Sequence, residues 1–264
     1  MTGTAQTDKW DTRSNSDTSK GYRGRNTARK SCTIGVVGGM GPESSALFYQ
    51  LLTEHTKAQR DQDHLDLLIY SRASTPDRTA SLMSGRSEEL FASLLDSCRT
   101  LQDAGAAALV IVCNTAHVFT EDLRRALEIP LLSIVETAVR HCSQLASGPA
   151  AKVAVLATDG TRQSGIYQRE LEQHGLVPYL PSTAVQALLM DIIYNFVKAG
   201  KDVTPSQMAP VEAELCAADC ELALLGCTEL SVVAKTWQPD GRYLDALKLL
   251  AKNVIEYAGG EYSG

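Results

Sequence analysis

No apolar run in this chain approaches the roughly 20 residues that a membrane-crossing helix needs. The first residues also lack the apolar stretch of a signal peptide, and a cytoplasmic protein is the expectation. Equally missing is a stripe of Lys and Arg. With a formal charge of -6 and a pI near 5.4, the chain is a poor match for nucleic acid, whose phosphates call for a basic face. The dense, even cysteine framework of small secreted domains is absent too: seven cysteines, an odd number, are scattered over 264 residues, so reduced thiols are expected. Cys216 and Cys220 are four apart, but no second pair of Cys or His completes a zinc shell, and no metal is expected. The glycines at 38, 39 and 41 are spaced Gly-Gly-x-Gly-Pro, not Gly-x-Gly-x-x-Gly, which argues against a dinucleotide site; a tight turn with backbone amides against a small anion fits better.

What is present is ordinary globular material, 44% hydrophobic and 21% charged. Residues 1–30 are the exception. They hold few large apolar residues and read as a disordered tail, its cations Lys20, Arg23, Arg25, Arg29 and Lys30 solvated. Beyond them, apolar strand-like runs alternate with helical spacing. Strands are expected at 33–37, 65–70, 108–112, 131–134, 152–157 and 222–225. Helices are expected near 44–60, 87–104, 120–127, 135–146, 164–174, 185–199, 205–217 and 244–257. Such alternation implies an α/β fold of mostly parallel sheets flanked by helices.

Two cysteines stand in near-matching settings. Ala-Leu-Val-Ile-Val-Cys113-Asn114-Thr115-Ala116-His117 and Ala-Leu-Leu-Gly226-Cys227-Thr228-Glu229 each run from an apolar strand into a thiol followed by small polar residues. Each follows, at similar distance, an opening strand with a Gly- or Thr-rich turn, Thr33-Ile-Gly-Val-Val-Gly38-Gly39-Met40-Gly41-Pro42 and Lys152-Val-Ala-Val-Leu-Ala-Thr158-Asp159-Gly160-Thr161. The chain therefore reads as two related halves. The carboxyl end of a parallel strand is where an α/β protein exposes chemistry. Two thiols offered twice by one architecture suit action from opposite sides of one substrate, the arrangement that inverts a stereocentre. A lone cysteine beside apolar strands is usually a buried structural thiol, which is the expectation for Cys98 and Cys142. His117 reads as a hydrogen-bonding neighbour of the Cys113 turn more readily than as its base.

Over residues 33–257 the chain resembles the cofactor-independent aspartate/glutamate racemases, most closely the aspartate branch. The resemblance is carried by Ile34-Gly35-Val-Val-Gly38-Gly39-Met40-Gly41-Pro42, Pro76-Asp77-Arg78-Thr79, Cys113-Asn114-Thr115-Ala116-His117, Ala157-Thr158-x-Gly160-Thr161, Val197-Lys198-Ala199-Gly200 and Gly226-Cys227-Thr228-Glu229. It implies two similar domains with the active site in the cleft between them, no cofactor, and a homodimer. The C-terminal helix would return to the first domain, giving 31–133 plus 238–264 as one domain and 134–237 as the other. The resemblance further implies Cys113 and Cys227 as acid/base thiols, and Asn114, Thr115 and Thr228 as donors to the substrate's carboxylate and amino group. Arg78 and Lys198 would be the cations favouring a side-chain carboxylate, with Met40, Ala116 and Thr158 as further substrate contacts. The implied substrate is a small acidic amino acid, aspartate first. Glutamate or hydantoin racemisation, maleate isomerisation by thiol addition, and a silent small-acid binder are the alternatives. Asp159 departs from the family's turn and would add negative charge near the site.

Overall fold

Each cysteine strand belongs to a four-stranded parallel sheet, and the two sheets have the same order. The computed structural model describes residues 32–264; the tail expected over 1–30 lies outside them. Strands β1 (Ile34–Gly38), β2 (Leu67–Ser71), β3 (Ala108–Ile111) and β4 (Leu131–Leu132) lie in the order β2-β1-β3-β4. Strands β5 (Lys152–Leu156), β6 (Val177–Tyr179), β7 (Leu222–Leu225) and β8 (Tyr243–Asp245) lie in the order β6-β5-β7-β8. All six pairings are parallel.

Helices make the crossovers. In chain order they are α1 (Pro42–His55), α2 (Arg78–Met83), α3 (Ser87–Asp103), α4 (Thr120–Ala126), α5 (Ile134–Leu145), α6 (Asp159–Ser164), α7 (Ile166–Gln173), α8 (Thr183–Asp191), α9 (Pro205–Ala217), α10 (Thr228–Trp237) and α11 (Ala246–Tyr257). Between α8 and α9 the chain winds as a π-helix over Ile192–Phe196 and a 3-10 turn over Val197–Ala199.

Strand residues alternate between two faces, and here both faces are dry. Val36, Ala108, Val110, Val153, Val155 and Leu224 enter one core that the two sheets share with α1, α5 and α11. Val37, Leu109 and Ile111 face a second core under α3, and Ala154, Leu156, Ala223 and Leu225 face a third under α8 and α9. The shared core makes the described residues 32–264 one compact unit. Helix α11 packs on α5 and α1, so the chain's end returns against its first helix. The preceding strand β8 pairs with β7 in the second sheet. The strand at 243–245 thus differs from the expected division, which put everything after 237 with the first domain. Among the described residues no helix is long and apolar enough to cross a membrane.

The order matters for the site. From β1 the chain crosses to β2 on one side; from β3 it crosses to β4 on the other. A crevice must open at the carboxyl ends of β1 and β3, and likewise of β5 and β7, because the connections leave these neighbours in opposite directions.

Candidate active site

Four turns rise from those two crevices. Met40 follows β1, Cys113 follows β3, Thr158 follows β5 and Cys227 follows β7. Together with Arg78, Thr79, Asn114, Thr115, Tyr194, Lys198, Thr228 and Glu229 they line one small cavity. Of the residues expected at the site, Cys113, Cys227, Met40, Arg78, Asn114, Thr115, Thr158, Lys198 and Thr228 are brought together there. Ala116 is not: it is fully buried in the core under α3, where a methyl group suits the packing and has no route to the cavity. Three lining residues, Thr79, Tyr194 and Glu229, were not singled out as site residues in the sequence.

Arg78 opens α2, whose first turn is capped by Asp77 through the Ala80 amide at 2.8 Å. Its guanidinium is buried. Nη2 donates to the Met40 carbonyl at 3.1 Å and Nη1 to the Pro76 carbonyl at 3.2 Å, while Nε has no hydrogen-bond partner. Burial works against the charge, but Cys113 and then Asp77 outweigh it, and the group is held positive beside the Cys113 thiol.

Cys227 has the opposite neighbour. It is the N-cap residue of α10, and its Sγ donates to Glu229 Oε2 at 3.0 Å. Burial first, and the Glu229 carboxylate second, push this thiol well above the ordinary range, which keeps it protonated. The other oxygen of Glu229 pairs with Lys198 Nζ at 2.7 Å, and Lys198 also lies over the Tyr194 ring at 5.4 Å. Tyr194 in turn donates to Asp77 at 3.2 Å. The cation expected to wait for substrate therefore rests in an ion pair with a buried carboxylate.

The first and second halves meet at hydroxyls. Thr115 Oγ1 lies 3.1 Å from Thr158 Oγ1 and 2.8 Å from Thr161 Oγ1, and the latter two are 3.2 Å apart. Gly160 lets these turns close: a Cβ there would sit 3.0 Å from the Thr79 backbone. Asp159 does not line the cavity. Its Oδ1 accepts from Gln186 Nε2 at 2.9 Å, so the negative charge expected near the site is turned aside.

The glycine turn is held by its own contacts. The Gly39 amide donates to Ser45 Oγ at 2.9 Å, and Gly39 takes φ +87 with the Arg72 backbone so close that a Cβ would lie 2.4 Å from it. His117 is a neighbour, not a base. Its Nδ1 hydrogen-bonds the Cys113 carbonyl at 2.8 Å, and its Nε2 accepts from the Ile134 amide at 3.3 Å. Burial lowers its pKa to about 4, which leaves it neutral. Cys98 and Cys142 are buried thiols in α3 and α5, each pushed up to about 12 by burial.

Comparison with known proteins adds what geometry cannot. The Asp/Glu/Hydantoin racemase family model matches residues 37–254. A broad-specificity amino-acid racemase of Bacillus subtilis, RacX, is 28% identical over 84% of this chain and 96% of its own. Glutamate racemase of Aquifex aeolicus is 24% identical over 68% of this chain and 70% of its own. Among solved structures, Picrophilus torridus aspartate racemase is similar with a TM-score of 0.72 and 26% identity, covering 88% of this chain and 96% of that one.

Proposed function

This chain belongs to the Asp/Glu/Hydantoin racemase family and is an amino-acid racemase; from that premise we propose that it interconverts L- and D-aspartate, without a cofactor, by two thiols acting from opposite faces. One observation carries the reading. Two buried cysteines end equivalent strands of two equally ordered sheets and line one small cavity that also holds Arg78 and Lys198.

The chemistry follows from the neighbours. Cys113, beside the Arg78 guanidinium, is the thiol placed to carry negative charge and to take the α-proton. Cys227, protonated against Glu229, is placed to deliver its S–H proton to the other face of the same carbon. As the C–H bond breaks towards one sulfur and a new one forms from the other, the configuration inverts and the two thiols exchange protonation states. Negative charge building on the substrate carboxylate would be met by the Asn114 amide and the Thr115 and Thr228 hydroxyls. Binding a side-chain carboxylate would fall to Lys198 and Arg78. A cytoplasmic location and a homodimer belong to the same reading. The free state of all seven cysteines supports the first, and family resemblance supports the second.

A broader substrate range is the second reading, favoured by the Lys198–Glu229 pair. With that pair closed, Arg78 is the cation of the cavity that no carboxylate holds in an ion pair among the described residues, and any amino acid's α-carboxylate could use it. Incubating the protein with single L-amino acids in deuterated water, with no added pyridoxal phosphate, separates the two. Deuterium entry at Cα and loss of optical rotation with aspartate, ahead of glutamate and well ahead of alanine, is the expected result. Equal rates for aspartate and alanine would give the site to the broader reading.

A further inference from the structure

We infer that Tyr167, a residue outside the cavity, is a positioning residue for both cysteine turns and fixes the Asn114 amide so that its NH2 group, not its carbonyl, faces the substrate. The inference rests on the racemase reading and on Asn114 serving the substrate carboxylate.

Three observations converge on this phenol. Tyr167 is fully buried on α7, and its hydroxyl donates to Asn114 Oδ1 at 2.5 Å, reaching from the second half of the chain to the residue that follows Cys113. Its ring also lies against the other thiol's turn. A Cβ on Gly226, the residue before Cys227, would sit 3.0 Å from Tyr167 Cε2, so the ring occupies space that a glycine leaves open. Third, Asn114 is buried and lines the cavity, yet its Nδ2 has no hydrogen-bond partner within the protein. An unpartnered buried donor beside an empty cavity is a donor kept for a ligand.

The direction of the amide follows from counting donors and acceptors. A phenol has one O–H to give, and the acceptor for Tyr167 is Asn114 Oδ1. Turning the amide over would set NH2 against that O–H and leave a buried donor unsatisfied, while the Asn114 carbonyl would face an incoming carboxylate and repel it. Burial, with Cys142 and Cys227 nearby, keeps the phenol's pKa well above its ordinary value, so it remains a donor throughout the working pH range. Gly165, at φ +68, turns the chain from α6, which Thr158 caps, into α7, so the residue that seats Asn114 is tied to another turn of the cavity.

Tyr167→Phe keeps the ring and removes only the hydroxyl. The expected result is a fall of about tenfold in kcat/KM, alike in the L-to-D and D-to-L directions, because the carboxylate donor serves both. In an Asn114→Ala background the same change should cost less than twofold. Equal losses in both backgrounds would show that Tyr167 acts on the fold alone and would overturn the proposal. A separate comparison does not depend on altering Tyr167. Asn114→Asp, which puts an oxygen where NH2 stood, should be less active than Asn114→Ala; an Asp variant as active as the Ala variant or more so would contradict the amide orientation. Wild-type protein in the same assay separates the two levels. Wild-type turnover with either contrary result removes the role of Tyr167 only, whereas absence of wild-type turnover removes the racemase reading and this proposal with it.

Discussion

Glu229 stands between Lys198 and Cys227 and acts on both. One carboxylate oxygen holds the ammonium at 2.7 Å and the other accepts from the thiol at 3.0 Å. A carboxylate this close raises a thiol's pKa and occupies a cation, so its removal should have two separable effects. In Glu229→Gln, Cys227 should react with iodoacetamide at mildly alkaline pH about tenfold faster than in the wild type. Lys198, released, should lower the aspartate KM by about the same factor, the scale of one charge-assisted hydrogen bond, with the alanine KM unmoved. Alkylation and kinetics read these independently, and an unchanged rate of alkylation would remove Glu229 from any role in holding the Cys227 proton. Glu229 stands beside Cys227 in the sequence, but its pairing with Lys198 was not legible there, and neither were Tyr194 and Tyr167, whose partners Asp77 and Asn114 are far away in sequence. The two thiols were legible because their signal is local: an apolar strand followed at once by Cys and small polar residues, twice.

At the scale of elements, α2 shows how a short helix can carry a site. Six residues long, it is held at its start by the Asp77 cap, and the same carboxylate receives the Tyr194 hydroxyl. One residue thus ties the helix bearing Arg78 to the π-helical segment that leads into Lys198. Asp77→Ala should cost about 1 kcal/mol of stability, as for other lost caps, and should also raise the aspartate KM several-fold, since both cations lose their anchor; urea unfolding with steady-state kinetics measures the two. Several elements escaped sequence reading for identifiable reasons. Val177-Pro178-Tyr179 forms an edge strand despite its proline, which edges tolerate. Leu244 fits the helical spacing of α11 but belongs to β8. The helix expected over 164–174 is split by Gly165 in the left-handed conformation, and the one expected over 185–199 changes from α to π to 3-10 winding. By contrast β1, β3, β5 and β7 lie within a residue or two of expectation, because strands buried on both faces read as unbroken apolar runs.

For the whole molecule, thiols buried in two of its cores, Cys142 in the core shared by the sheets and Cys98 in the core under α3, make stability depend on pH. Cys98 and Cys142 are buried, with pKa values pushed up to about 12, whereas in the unfolded chain a thiol titrates near 8.5. Above about pH 8.5 the unfolded state therefore gives up these protons while the folded state keeps them. The stability they confer is full below that pH and is lost as pH rises towards about 12. Each thiol should reduce unfolding free energy by about 1 kcal/mol per pH unit over that window. Urea unfolding between pH 8 and 10.5 should show this decline, and Cys98→Ser/Cys142→Ala should make it shallower, with buried Cys227 contributing part of what remains; an equally steep decline in the double variant would place its origin elsewhere. The same architecture makes the central claim testable at two atoms. Two equally ordered sheets bring Cys113 and Cys227 to one cavity, and the proposed inversion at carbon needs both. The direct measurement is α-proton exchange and racemisation of L- and D-aspartate in deuterated water by the wild type, Cys113→Ala and Cys227→Ala. The account predicts that neither variant racemises, and that any residual exchange is confined to one enantiomer, a different one in each variant; a single variant that racemised both enantiomers at near wild-type rate would contradict it.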